Sequence, residues 1–315
     1  MLTEAGIPQT PVPLLDVRGL SKSFPGVTAL NEIAFALAAG EVHALLGENG
    51  AGKSTLLKIL SGAQYQDSGT IKFAGKSLGR ESPLERQRLG IVTVYQEFNL
   101  MPNLSVAENI LIGREPTKFR FVDWKAMYRK AHEVAQRLDL MVDPRTPVAA
   151  LSVAEQQLVE IAKAINLQAK LIILDEPTAA LSNREVARLH KLVQALKRQN
   201  IAFIYVTHRL DEVPAICDRF TVLRDGKFAG SGDPRHCAPG DIIRMMVGRD
   251  LEPCSTRRLA VQRSSETVLQ VVNFTRTKKL PSAPAIMLRS MSLELKARRD
   301  FRTCRLGRSR QNRTG

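Results

Sequence analysis

The chain has 315 residues, 44% of them hydrophobic and 24% charged, with 20 glycines and 16 prolines, a packed composition that excludes a disordered or collagen-like chain. At roughly 150 residues per domain the length predicts about two domains, and no apolar run approaches the ~18 residues that a membrane span needs. The net charge of +15 would point to nucleic acid or an anionic surface if it were spread over the fold, but Arg298 to Gly315 alone holds seven arginines against Asp300.

Residues 1–13 have no basic run ahead of an apolar block, so they read as a polar leader in a cytoplasmic chain and not as a secretory signal. Cys217, Cys237, Cys254 and Cys304 lack CxxC spacing, which predicts reduced thiols and neither a zinc ribbon nor a disulfide framework. From Leu14 to Leu46 apolar runs alternate with polar turns, which predicts several strands, the last of them buried. That strand runs into Gly47-Glu48-Asn49-Gly50-Ala51-Gly52-Lys53-Ser54-Thr55, and the LLKILSG that follows has helical spacing. Strand, glycine-rich loop and helix in this order form a phosphate loop. Its glycines let backbone N–H groups turn toward phosphate oxygens, and the helix adds its positive end. Lys53 is placed to neutralise the β- and γ-phosphates, Ser54 to offer its hydroxyl to Mg²⁺, and Thr55 to donate to the α-phosphate.

LIILDEPTAAL, Leu171 to Leu181, delivers Asp175 and Glu176 at the carboxyl end of a buried strand, where open α/β sheets bind ligands. If the strand alternation continues through both residues, they point to opposite sides. One carboxylate then serves Mg²⁺ and the other faces a water aimed at the γ-phosphate. A further apolar run, Ile201 to His208, ends in a histidine suited to hydrogen-bond that phosphate. His43, His132, His190 and His236 have no such placement and read as structural.

These residues resemble the ATP-binding subunits of ABC transporters. A Walker A loop at Gly47–Thr55, a Q-loop glutamine at Gln96 in VYQEFNL, a signature at Leu151–Glu155, Walker B at Leu171–Glu176 and a switch histidine at His208 carry the likeness. More narrowly, SKSFPGVTAL, LSVAEQQLVEIAKA, DEPTAALS, HRLDEV, CDRFTVLRDG and MVGRDL look like the first half of the double-length ATPases of ribose- and galactose-type importers, from about Leu14 to Ala297. The resemblance implies a P-loop α/β fold with an antiparallel β subdomain near the N-terminus and a helical subdomain between Gln96 and the signature. It implies that Phe24 stacks on adenine and that Gln96 links Mg²⁺ to the helical subdomain. Asp175 supports the metal, Glu176 positions or deprotonates the attacking water, and His208 senses the γ-phosphate. The implied activity is Mg²⁺-dependent ATP hydrolysis driving sugar import, as a peripheral protein on the cytoplasmic face of the inner membrane. Its implied partners are a permease and, through it, a periplasmic sugar-binding protein, with no nucleic acid.

Two positions depart from the family. Leu151-Ser152-Val153-Ala154-Glu155 stands where most members have LSGGQ, and Ser182 stands where an aspartate is usual after DEPT. Ser152 is placed to cap a helix or, in a dimer, to reach a γ-phosphate across the interface. Ser182 puts communication between two nucleotide sites in question.

The domain boundaries read as 14–250 for this cassette and 251–265 for a linker. In 266–297 the opening pattern of the chain repeats, as the start of a second cassette. At Arg298 the repeat breaks into a basic tail, 298–315. Shifting the frame by one base there permits a reading that resembles a second, degenerate phosphate loop, so the tail reads as a frameshift product. An arginine-rich tail that binds nucleic acid or lipid is the competing reading. Two other functions compete with the importer: a soluble ABC-type ATPase of translation or DNA maintenance, and an idle nucleotide-binding regulator. With one intact cassette the chain is expected to hydrolyse ATP weakly unless it pairs with another copy.

Overall fold

The computed structural model describes residues 13–248, all within the first of two units of the chain, Met1–Leu251. The linker, the repeated opening and the basic tail lie outside the described residues.

The N-terminal third begins with β1 (Leu15–Phe24), β2 (Val27–Leu37) and β3 (Val42–Leu46), followed by α1 (Lys53–Leu60), β4 (Ser68–Phe73), β5 (Lys76–Leu78), α2 (Pro83–Leu89) and β6 (Ile91–Val94). The middle contains α3 (Val106–Leu111), a small hairpin of β7 (Thr117–Lys118) and β8 (Phe121–Val122), α4 (Trp124–Arg137) and α5 (Val153–Asn166). Then come β9 (Leu171–Asp175), α6 (Asn183–Lys197), β10 (Ala202–Val206), α7 (Val213–Ile216), β11 (Arg219–Arg224), β12 (Lys227–Gly232) and α8 (Pro239–Val247).

Two sheets organise these elements. An antiparallel sheet has the order β2-β1-β4-β5, and a six-stranded sheet has the order β12-β11-β3-β10-β9-β6. The second is parallel except for the β11–β12 pair. Every residue of β3 and β10 is buried, as strands covered on both faces must be, which is why they read as near-continuous apolar runs, interrupted in β3 only by His43.

The period-two geometry sorts their side chains into two cores. Ile172, Leu174, Phe203 and Tyr205 pack on one side with α3, α4, α5 and α6. Leu171, Ile173, Ile204 and Val206 pack on the other with α1 and the antiparallel sheet. The antiparallel and helical parts stand where the resemblance placed them. The β7–β8 hairpin inside the helical part was not expected, because its strands of two residues are too short to carry an alternation signal.

Candidate functional site

The candidate site forms where β3 ends and the chain turns through Gly47–Gly52 into α1. Gly52 has φ 101°, and a Cβ there would sit 2.5 Å from the Ala29 carbonyl oxygen of β2. Only glycine lets that hairpin back the loop so closely. A Cβ added at Gly50, where φ is 87°, would meet nothing within 4 Å, so backbone conformation alone calls for glycine there and the loop stays open to a ligand. Ala51 donates its N–H to Glu48 at 3.1 Å. The amides of Glu48, Asn49, Gly50 and Gly52 donate to no partner among the described residues. Free amides leading into a helix N-terminus are suited to an anion. Lys53 arches back, its Nζ donating to the carbonyls of Gly47 at 2.7 Å and Glu48 at 2.9 Å. Ser54 is exposed, and neither its hydroxyl nor that of Thr55 has a partner among the described residues.

Sheet register brings the other groups to this loop. Asp175 pairs with Val206, and Val206 with Leu45, so the carboxyl ends of β9, β10 and β3 lie level. At a strand spacing of ~4.8 Å they converge within about 10 Å. Asp175 is the last residue of β9. Glu176 then adopts φ 49° and donates its N–H to the Val206 carbonyl at 3.0 Å. The alternation expected across Asp175 and Glu176 therefore does not hold. The strand stops at the first carboxylate, and a left-handed turn sets the direction of the second. His208, two residues past β10, places Nδ1 3.4 Å from Glu176 Oε2.

Electrostatics tie Lys53 to both acids. Burial raises the Asp175 carboxyl above the usual range and Glu176 adds to this, while Lys53 opposes them. Burial lowers the Lys53 ammonium, against the pull of Glu176 and then Asp175. Two carboxylates sharing one cation form a site that a divalent ion relieves. Among the described residues no group of three or more His, Cys, Asp or Glu forms a cage for an ion. Mg²⁺ needs none, since it binds through one or two protein oxygens and the phosphates of its nucleotide. Asp175 and the free Ser54 hydroxyl fit that donor set.

Lys53, Asp175, Glu176 and His208 are thus brought together. Phe24 ends β1, partly exposed, with Lys22 Nζ 5.7 Å from its ring centre. Gln96 is exposed two residues past β6. Neither makes a hydrogen bond to the central four among the described residues. Ser152 caps α5 in a reciprocal box with Glu155, donating its hydroxyl to that carboxylate at 2.7 Å. Ser182 does the same for α6 with Glu185, also at 2.7 Å. His43 is buried between Glu41 and Thr221, in keeping with a structural role.

Sequence reasoning missed Glu212. This buried carboxylate accepts from the Tyr205 hydroxyl at 2.8 Å and the Thr178 hydroxyl at 3.0 Å, and Arg209 lies 3.0 Å from its other oxygen. It connects the loop after Glu176 to the loop carrying His208. An acid in HRLDEV gives no sign of burial until the strands around it are placed.

Residues 30–179 match the ABC transporter family. The ribose import ATP-binding protein RbsA 1 of Rubrobacter xylanophilus is 53% identical over 248 residues, 78% of this chain and 49% of that protein. A putative ribose/galactose/methyl galactoside import ATP-binding protein of Burkholderia cenocepacia is 46% identical over 275 residues, 87% of this chain and 54% of its own length. The chain thus spans about half the length of these curated relatives. The ADP conformation of MJ1267, an ATP-binding cassette of an ABC transporter, superimposes with TM-score 0.67 at 26% identity, covering 76% of this chain and all of that one. A nucleotide-free cassette superimposes with TM-score 0.65 at 26% identity, covering 76% of this chain and 96% of that one. Phosphate loop, strand order, family match and structural likeness agree that the described residues form an ATP-binding cassette of the ABC transporter family.

Proposed function

We propose that the chain hydrolyses ATP to drive a carbohydrate importer of the ribose and galactose type, working at the cytoplasmic face of the inner membrane beneath a permease that receives sugar from a periplasmic binding protein. The names of the relatives support the transport reading. The observation that carries the chemistry is the convergence of Lys53, Asp175, Glu176 and His208 on the loop Gly47–Thr55.

In this reading the free amides and Lys53 bind the β- and γ-phosphates, Phe24 covers adenine, and Ser54, Asp175 and Gln96 hold Mg²⁺. When bound, that ion neutralises phosphate charge as it develops. Glu176 orients and deprotonates the attacking water, and His208, hydrogen-bonded to the γ-phosphate, registers its departure. The segment 266–297 opens a second cassette and 298–315 is a frameshift product; resequencing the codons around Ala297 tests both.

Glu176→Gln separates binding from hydrolysis. It is expected to keep Mg²⁺-dependent ATP binding and to lose roughly 100-fold or more in turnover, whereas Lys53→Ala is expected to lose binding itself. Both are read by equilibrium binding and phosphate release. Turnover by the Glu176 variant at the wild-type rate would remove the assigned base.

A further inference from the structure

The β7–β8 hairpin has no part in the nucleotide chemistry, yet its Phe119 and Phe121 are, with Met141, the three most exposed large apolar side chains described: Phe119 is 84% exposed and Phe121 79%, with Trp124 at 49% just beyond the turn. Its two central residues, Phe119 and Arg120, have φ 51° and 72°. A two-residue turn with both φ positive favours Asn-Gly, and a phenylalanine there is strained. The turn therefore carries residues that its own stability does not select.

Basic residues interleave with these aromatics in the run Lys118-Phe119-Arg120-Phe121-Val122-Asp123-Trp124-Lys125. Lys118 and Phe121 are paired in register and so share one face of the hairpin. The nearby acids are occupied. Glu115 accepts the Gly113 N–H at 2.9 Å, and Asp123 caps α4 by accepting the Ala126 N–H at 2.9 Å. Among the described residues Lys118, Arg120 and Lys125 have no carboxylate partner. The basic character continues past the hairpin, where Trp124 packs on Tyr128 with ring centres 6.0 Å apart and Arg145 lies 5.1 Å from the Tyr128 ring centre.

We infer that the Thr117–Lys125 hairpin inserts its aromatic tip into the headgroup layer of an anionic lipid surface, with Lys118, Arg120 and Lys125 on the lipid phosphates. Interleaved aromatic and basic side chains suit the membrane interface, where rings enter the acyl boundary and cations meet anionic headgroups. Protein interfaces deplete lysine at their centre. Single-stranded nucleic acid is gripped in grooves with stacking platforms, whereas these rings stand on a projecting two-residue turn. The inference goes beyond the ATPase reading and does not depend on it.

Trp124 reports on this hairpin alone, because the chain contains 1 tryptophan. The full chain is titrated with vesicles of phosphatidylcholine, with vesicles containing about one third phosphatidylglycerol, and with single-stranded RNA. Expected are a blue shift of tryptophan emission with anionic vesicles only and its weakening by salt. The double variant F119S/F121S is expected to lose the shift. F119N/R120G supplies the sequence the turn prefers, so it should fold at least as well as wild type while its partitioning falls roughly tenfold. Sedimentation of F119S/F121S with anionic vesicles without a shift shows that cations, Lys118, Arg120 and Lys125 among them, hold the surface when the rings no longer enter it, and supports the inference. No shift in the wild type, an equal shift with neutral vesicles or RNA, or an undiminished shift in the well-folded F119N/R120G variant overturns it.

Discussion

Glu212 shows how one buried carboxylate fixes two loops of the nucleotide site. It is 3% exposed and so depends on its partners. Tyr205 donates from β10, Thr178 from the loop that follows Glu176, and Arg209 adjoins His208. Burial and the neighbouring carboxylate push the Tyr205 phenol well up, so it stays a donor at any working pH. Glu212→Ala takes the shared acceptor from both hydroxyls and the near carboxylate from Arg209, leaving Tyr205 only His190 at 3.4 Å and Arg209 only Asp211 at 3.8 Å, which costs about 3 kcal/mol. Glu212→Gln keeps an acceptor and costs about 1 kcal/mol. Urea unfolding of the two variants measures both, and an alanine variant within about 0.5 kcal/mol of wild type would mean that the loops are held by other contacts. Nothing in the local sequence exposes this role, because only Arg209 is a near neighbour in the chain, and Thr178 and Tyr205 reach Glu212 only after β9 and β10 pair.

Four helices start with the same device, of which only the cap at Ser152 was expected. Ser82 with Glu85, Ser105 with Glu108, Ser152 with Glu155 and Ser182 with Glu185 each form a reciprocal box at the start of α2, α3, α5 and α6. The S-x-x-E spacing is enough to place the helix start, because the serine hydroxyl and the glutamate each satisfy a backbone amide that has no helical partner. At α6 this gives a physical use to the serine that replaces the family's aspartate. Both side chains accept the free amides of a first turn, so the substitution keeps the cap even where it alters contact with another cassette. Ser182→Ala is expected to lower stability by about 1 kcal/mol, and Ser182→Asp to leave it within about 0.5 kcal/mol. Thermal unfolding of the two variants separates these outcomes; an equal loss in both would show that the hydroxyl acts through something other than the cap.

For the whole molecule, the parallel sheet and the nucleotide edge were legible because buried strands, glycine loop and terminal carboxylates each leave a local mark. The direction of Glu176 and the β7–β8 hairpin were not, since one depends on a single left-handed residue and the other on strands of two residues. The signature gives the last consequence. Ser152 and Glu155 satisfy each other at the head of α5, and among the described residues no hydrogen bond or ion pair joins residues 151–155 to the loop 47–55. We propose that this signature acts instead on the loop of another cassette, with the amides at the start of α5 toward the γ-phosphate bound there. Closing two cassettes over ATP then makes hydrolysis by the 315-residue chain second order in protein. Turnover per molecule is expected to rise roughly in proportion to concentration while dimers are scarce and to level off when they are not. Specific activity that stays constant from nanomolar to micromolar protein would show that one cassette suffices, and the signature would then need a different role.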